Sequence, residues 1–95
     1  MANYRLSNAA KEDLIRIYNY GVQRFGEVQA EKYFHTFFEY FEIIGENPFS
    51  FPEVDHIRFG FRRCVCGVDS IYYKISGNTV EIMAIIGRQD FDQIL

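Results

Sequence analysis

Between residues 8 and 46 the apolar side chains recur every three or four positions, and beyond residue 59 they alternate. The first spacing is that of an amphipathic helix and the second that of a half-buried strand. From Asn8 onward, Leu14, Ile17, Tyr18, Gly21, Val22 and Phe25 fall on one helical stripe. Ser7 stands where an N-cap is needed, Glu12 and Asp13 follow early in the helix, and Gly26 is placed to close it. A second helix is expected from about Glu27 to Gly45. One of its stripes holds Ala30, Phe34, Phe37, Phe41 and Ile44, and another holds Tyr33, Tyr40 and Ile43, with Phe38 flanking. This is more apolar surface than one face of a helix needs in a small core. Either the helix lies between a partner helix and a sheet, or part of it meets another chain. The short connection at Gly26 implies an antiparallel helical hairpin, and Asn47-Pro48 ends the second helix.

The remaining elements are strands. Tyr4-Arg5-Leu6 reads as a short first strand. Residues 46–58 form a loop containing Pro48 and Pro52. The run from Phe59 to Val65 then alternates, with Phe61, Arg63 and Val65 on one face and Arg62, Cys64 and Cys66 on the other. Residues 67–70 supply a turn region, after which Ile71, Tyr73 and Ile75 alternate with Tyr72 and Lys74. Gly77-Asn78 is a hairpin signal. The stretch Thr79–Ile86 begins alternating and ends apolar on both faces, as expected of a strand covered on both sides at its far end. The order β-α-α-β-β-β predicts an α+β fold. In this two-layer sandwich an N-terminal helical hairpin packs on a curved antiparallel sheet. One domain spans residues 1–95, with the hairpin at about 8–46 and the main sheet at about 59–88.

Composition narrows the class. With 48% hydrophobic and 18% aromatic residues the chain can form a core and shows no signature of disorder. No apolar run approaches the ~18 residues that span a bilayer, and the N-terminus has no signal-peptide core, so a cytoplasmic protein without membrane association is expected. Residues 1–55 carry 5 basic and 9 acidic groups, and residues 56–95 carry 5 and 4, so the halves are −4 and +1. That is a poor footprint for a general nucleic-acid binder, although Arg62, Arg63 and Arg88 leave a locally basic spot. Cys64 and Cys66 lie two residues apart on one strand face, a poor geometry for bonding to each other and, without a second ligand pair, a weak metal signal. No metal or cofactor is expected.

Several segments, in order, resemble the ParE-type toxins of the ParE/RelE superfamily. They are Tyr4-Arg5-Leu6-Ser7 with Ala10, Asp13 and Leu14; Phe25-Gly26; Glu46-Asn47-Pro48; Ile57-Arg58 with Gly60-Phe61-Arg62; Ile71-Tyr72-Tyr73-Lys74-Ile75; and Ile82 with Ile85-Ile86-Gly87-Arg88-Gln89-Asp90. The chain differs from relatives at Cys64-Val65-Cys66 and at Gly87, where many carry a histidine.

The resemblance implies the toxin of a type II toxin–antitoxin system. Such a toxin is held by a ParD-like antitoxin in a hetero-oligomer, poisons DNA gyrase, and meets DNA only indirectly through the antitoxin. Two alternatives share the fold: a RelE-like ribosome-dependent mRNA endonuclease, and a non-toxic interaction module. RNA cleavage needs a base, an acid and a cation near the phosphate. His35 lies mid-helix and His56 in the loop, neither on the late strands. Lys74, Arg62, Arg63 and Arg88 are able to hold a phosphate, but tyrosines with a pKa near ~10 are poor bases without tuning. Binding is therefore the favoured mode, with no catalytic residue assigned. Candidate contacts for antitoxin or target are Arg62, Arg63, Tyr72, Lys74, Arg88, Asp90, Tyr33, Phe37, Tyr40, Ile94 and Leu95. Arg88 and Asp90 also suit a local ion pair fixing the last turn, and Ile94 and Leu95 suit docking on the domain.

Overall fold

The computed structural model describes residues 3–87. The elements are β1 (Tyr4–Leu6), α1 (Asn8–Phe25), α2 (Glu27–Glu46), β2 (Phe61–Cys66), β3 (Asp69–Ser76) and β4 (Thr79–Gly87). This is the expected order, with the two helices lying against one side of a four-stranded sheet.

Local chemistry sets the helix ends. Ser7 Oγ accepts from the Ala10 N–H at 3.0 Å, satisfying one of the free donors of the first turn. Gly26 ends α1 at φ +89°, its N–H donating to the Val22 carbonyl, and α2 begins at the next residue. Gly21 meets Ala30 across the hairpin: a β-carbon at Gly21 would lie 3.3 Å from that of Ala30, so two small residues let the helices approach.

The sheet order is β1-β4-β3-β2. β2, β3 and β4 form the expected antiparallel meander, joined by two-residue turns at Gly67-Val68 and Gly77-Asn78. Both turns place glycine first at φ +61°, the position that type II′ hairpins reserve for it. β1 adds in parallel beside β4, with Tyr4 opposite Val80 and Leu6 opposite Ile82, so the complete sheet is mixed rather than wholly antiparallel. A three-residue strand carries no directional signal of its own. Its direction follows from Ser7, which must start α1 against β4. β2 begins at Phe61 rather than Phe59, because Gly60 turns at φ +82° with its N–H held by Asp55.

β4 changes phase midway. Tyr72 faces Ala84 while Tyr73 faces Ile82, so Met83 is the extra residue of a β-bulge. Val80 and Ile82 point to the helices before the bulge and Ile85 after it, whereas Ala84 and Ile86 belong to the outer face. The double-sided apolar ending of this strand is therefore a phase shift as well as burial. Side chains of α1 satisfy the backbone there. Ser7 Oγ donates to the Met83 carbonyl at 3.0 Å, Asp13 accepts the Ile85 N–H at 2.9 Å, and Arg16 donates to the Ile85 carbonyl at 3.2 Å. Beyond the end of β1, these polar side chains stand where a neighbouring strand would be.

The main core lies between the helices and the sheet. Ala10, Leu14, Ile17, Phe37, Phe41 and Ile44 meet Cys64, Cys66, Ile71, Tyr73, Val80, Ile82 and Ile85. A second cluster on the outer face joins Tyr72 and Ile86 to Val54, with Ile57, Phe61 and Ala84 packed against it. The loop after α2 therefore wraps the β2 edge: Phe51 packs on the helix side and Val54 on the other.

Candidate binding surfaces

The two faces of β2 give its arginines different work. Arg62 points to the helix side and is only 16% exposed. It donates to the Phe51 carbonyl at 2.7 Å and to Glu53 at 2.9 Å, and lies 5.3 Å from the Phe49 ring centre. Backbone pairing of Glu53 with Arg62 completes the clamp. Arg62 is thus committed to holding the loop, and its role as a contact residue gives way to a structural one. Its bond to the Phe51 carbonyl is charge-assisted and part-buried, whereas Glu53 is mostly exposed and adds little. Arg62→Ala is expected to cost about 2 kcal/mol in urea denaturation and to open the segment 47–60 to proteolysis. Arg62→Lys should recover only part of this, because an ammonium cannot reproduce the planar fork.

Arg63 points to the outer face, where its Nε donates to Ser70 Oγ at 2.9 Å. Lys74 is half-exposed on the same face, opposite Phe61 and Glu81, and Arg58 stacks over Phe61 at 5.8 Å. Arg63 and Lys74 therefore flank a cationic stretch of the outer sheet. Tyr72, between them in β3, is 2% exposed beneath Val54, so it belongs to the core of the free chain and offers no contact surface.

The candidates on α2 divide similarly. Phe37 is fully buried, which removes it from any surface. Tyr33 and Tyr40 are half-buried at the edge of the core. The Tyr33 hydroxyl lies 2.8 Å from both the Cys66 carbonyl and Asp69 Oδ2, its single proton shared between these acceptors. Burial first, then the bond to Asp69, raises its pKa well above the ordinary value. The Tyr73 hydroxyl donates to the Pro48 carbonyl at 2.6 Å, and burial pushes it to about 12. Neither phenol is tuned toward base chemistry near neutrality. Arg88, Asp90, Ile94 and Leu95 lie outside the described residues.

Cys64 and Cys66 are free and buried on the helix side of β2. Burial pushes Cys64 to about 11 and Cys66 to about 12, with Cys64 and Asp69 adding to the second. At neutral pH both are thiols rather than thiolates, and poor nucleophiles. An acid whose pKa is raised by folding holds its proton more tightly in the folded state. Its contribution is complete below the ordinary value of 9.0 and is lost as pH climbs toward 11–12. The melting temperature should therefore fall as pH rises above about 9, and Cys64→Ala/Cys66→Ala should shallow that fall, as read by calorimetry across pH.

The feature that periodicity did not single out is a groove on the outer side of the hairpin. It is open, about 440 Å³, and lined by Ile15, Tyr18, Glu31, Phe34 and His35. Tyr18 and Phe34 meet edge-on at its floor, 5.7 Å between ring centres. Ile15 is 60% exposed on its wall. The signal was present: Ile15 sits beside Leu14, off the buried stripe, and an apolar residue there has no core to enter.

The sequence model of the ParE toxin of the type II toxin–antitoxin system, parDE, matches residues 4–90. The chain belongs to this family and is the toxin of a ParDE-type system. Toxin ParE1 of Caulobacter vibrioides is 37% identical over 86 residues, covering 90% of this chain and 88% of that one. Toxin ParE1 of Mycobacterium tuberculosis is 29% identical over 96 residues, covering 99% and 98%. A solved structure described as the chromosomal ParDE TA system from P. aeruginosa superposes with a TM-score of 0.77 at 20% identity, over 92% of this chain and 96% of that one, and shares the fold.

Proposed function

We propose that this toxin works by binding rather than by catalysis: it inhibits DNA gyrase in the cytoplasm and is neutralised by a cognate ParD-like antitoxin. Membership of the ParE family supports both partners. The observation that carries the binding mode is how the polar groups of the sheet are used. Arg62 is spent on a loop, the Tyr33 and Tyr73 hydroxyls are bonded to main-chain carbonyls, and both phenols and both thiols are pushed upward in pKa. His35 lies on the outer side of α2 and His56 is exposed in the loop before β2, so neither imidazole is carried by a strand of the sheet. Exposed apolar surface and a separate cationic face instead offer two partners two surfaces.

The test is a supercoiling assay with purified toxin and gyrase. Loss of supercoiling with trapped cleaved DNA, relieved by the antitoxin, is the expected result. Unimpaired supercoiling would remove gyrase from the reading. The cations Arg58, Arg63 and Lys74 on one face keep a RelE-like reading in play. New message ends in primer extension, abolished by Arg63→Ala, would establish that reading instead. Normal growth on induction without antitoxin would mark a chain that keeps the fold as an interaction module.

A further inference from the structure

The outer face of the sheet carries charge that the fold leaves unspent. Both helices lie on the other side, and Arg58, Arg63 and Lys74 stand around Phe61, the first exposed and the other two half-exposed. In the β2–β3 register Phe61 lies opposite Lys74 and Arg63 opposite Tyr72. Arg63 and Lys74 are thus diagonal neighbours, roughly 7–8 Å apart at the backbone. Arg58 stacks over the Phe61 ring, 5.8 Å from its centre, which keeps it beside them.

The way each cation is held favours an anion. Ser70 Oγ accepts from Arg63 Nε at 2.9 Å, while both terminal nitrogens of that guanidinium are without a partner among the described residues. A guanidinium anchored through Nε keeps its remaining planar fork for two oxygens of one phosphate. Arg58, Arg63 and Lys74 make no ion pair among the described residues. Two carboxylates belong to the same part of the molecule, and both are engaged. Glu81, opposite Lys74, pairs with Arg5 at 3.2 Å, and Asp55 accepts the Gly60 N–H at 2.9 Å. The helical side has the reverse balance. Residues 8–46 carry 4 basic and 7 acidic groups, so the hairpin is −3, with Lys11, Arg24 and Lys32 dispersed among its carboxylates.

We infer that this outer face grips the phosphate backbone of the DNA that gyrase holds, so that the target is the enzyme with its DNA rather than the enzyme alone. The inference rests on the gyrase reading above and departs from the expectation that DNA is met only through the antitoxin. In a chain of net charge −3, three cations are too few to hold free duplex against salt. For a toxin already seated on gyrase the same phosphates stand at high effective concentration, and three contacts then count. The backbone repels the acidic hairpin, which leaves the sheet as the side turned to DNA.

The affinity of the full-length toxin for intact gyrase, measured with and without a linear duplex across a salt series, tests this. DNA should tighten binding at least about tenfold at low salt. It should also steepen the plot of log affinity against log salt by up to about 2.7, or about 0.9 for each of three phosphates. Arg58→Gln/Arg63→Gln/Lys74→Gln should lose both the tightening and the extra slope. The single changes Arg58→Gln and Lys74→Gln should each lower the slope by about 0.9, which keeps the test open if the triple variant does not fold. Arg63→Lys should keep the slope and lose part of the tightening, because an ammonium has no planar fork. Lys11→Gln/Arg24→Gln/Lys32→Gln removes as much charge from the hairpin and should keep the whole effect of DNA. No tightening by DNA, a tightening that survives the triple change, or an equal loss in the hairpin variant would overturn the inference. So would a fall in affinity for gyrase without DNA as large as the fall with it, which would make the face a protein contact. Message cleavage that Arg63→Gln abolishes would assign the face to RNA instead. If the toxin inhibits gyrase regardless of these changes, the gyrase reading stands and the DNA contact falls. If it neither binds nor inhibits gyrase, both fall.

Discussion

Phe37→Ala is expected to remove about 3–5 kcal/mol of folding free energy, the usual cost of truncating a fully enclosed aromatic ring. Phe37 has no exposed surface and sits mid-α2 in the main core. Its ring lies 4.8 Å from that of Tyr33 and 6.4 Å from that of Phe41. It thus links the aromatic row of α2 to the strands beneath. A small domain holds only about 5–15 kcal/mol in total, so this loss takes a large share of the whole. The urea midpoint should drop sharply, and growth arrest on induction should disappear with the folded protein. Phe37→Leu, which keeps most of the volume, should cost clearly less. A loss below about 1 kcal/mol for Phe37→Ala would mean that the space collapses around the missing ring.

Gly67→Ala is the second large effect, expected at about 2–4 kcal/mol from two sources. Gly67 adopts φ +61°, where an L side chain is strained by about 1–2 kcal/mol. A β-carbon there would also stand 2.7 Å from the Tyr33 hydroxyl and 2.8 Å from its ring, closer than atoms can pack. The Tyr33 ring would have to move, taking its hydroxyl from the Cys66 carbonyl and Asp69. The turn and the helix are thus fitted to each other. A double-mutant cycle with Tyr33→Ala separates the two sources. In that background Gly67→Ala should cost only the backbone part, and full additivity would show that the close approach contributes nothing.

Much of the fold is legible because its signals are local. Ser7 and Gly26 bracket α1, Asn47 ends α2, and Gly67 and Gly77 turn the meander, each through chemistry confined to a few neighbours. What escapes is set by distant parts of the chain. β1 has too few residues to announce its partner or direction. The bulge at Met83 is paired with a serine and an aspartate from the far end of the sequence. Arg62 reads as a free cation in an alternating strand. Only the return of residues 49–53 across that strand's edge reveals its task. Tyr72 reads as a candidate contact residue, because nothing local shows Val54 folding over the outer face. The groove on the hairpin is half visible: Tyr18 and Phe34 fall on helical stripes, but depth between two helices belongs to their packing.

The pairing of β1 with β4 also orders events in time. Ser7 and Met83, 76 residues apart, must meet before the bulge is satisfied. A chain emerging from the ribosome makes its helical hairpin first and the central strand of its sheet last. Until Thr79–Gly87 arrives, Phe37, Phe41 and Ile44 have only part of the surface that will enclose them. A message broken, or a reading frame stopped, anywhere before β4 therefore yields a fragment without this fold. A cell would meet the folded toxin only once Thr79–Gly87 has been translated, and an abandoned translation would leave an unfolded fragment.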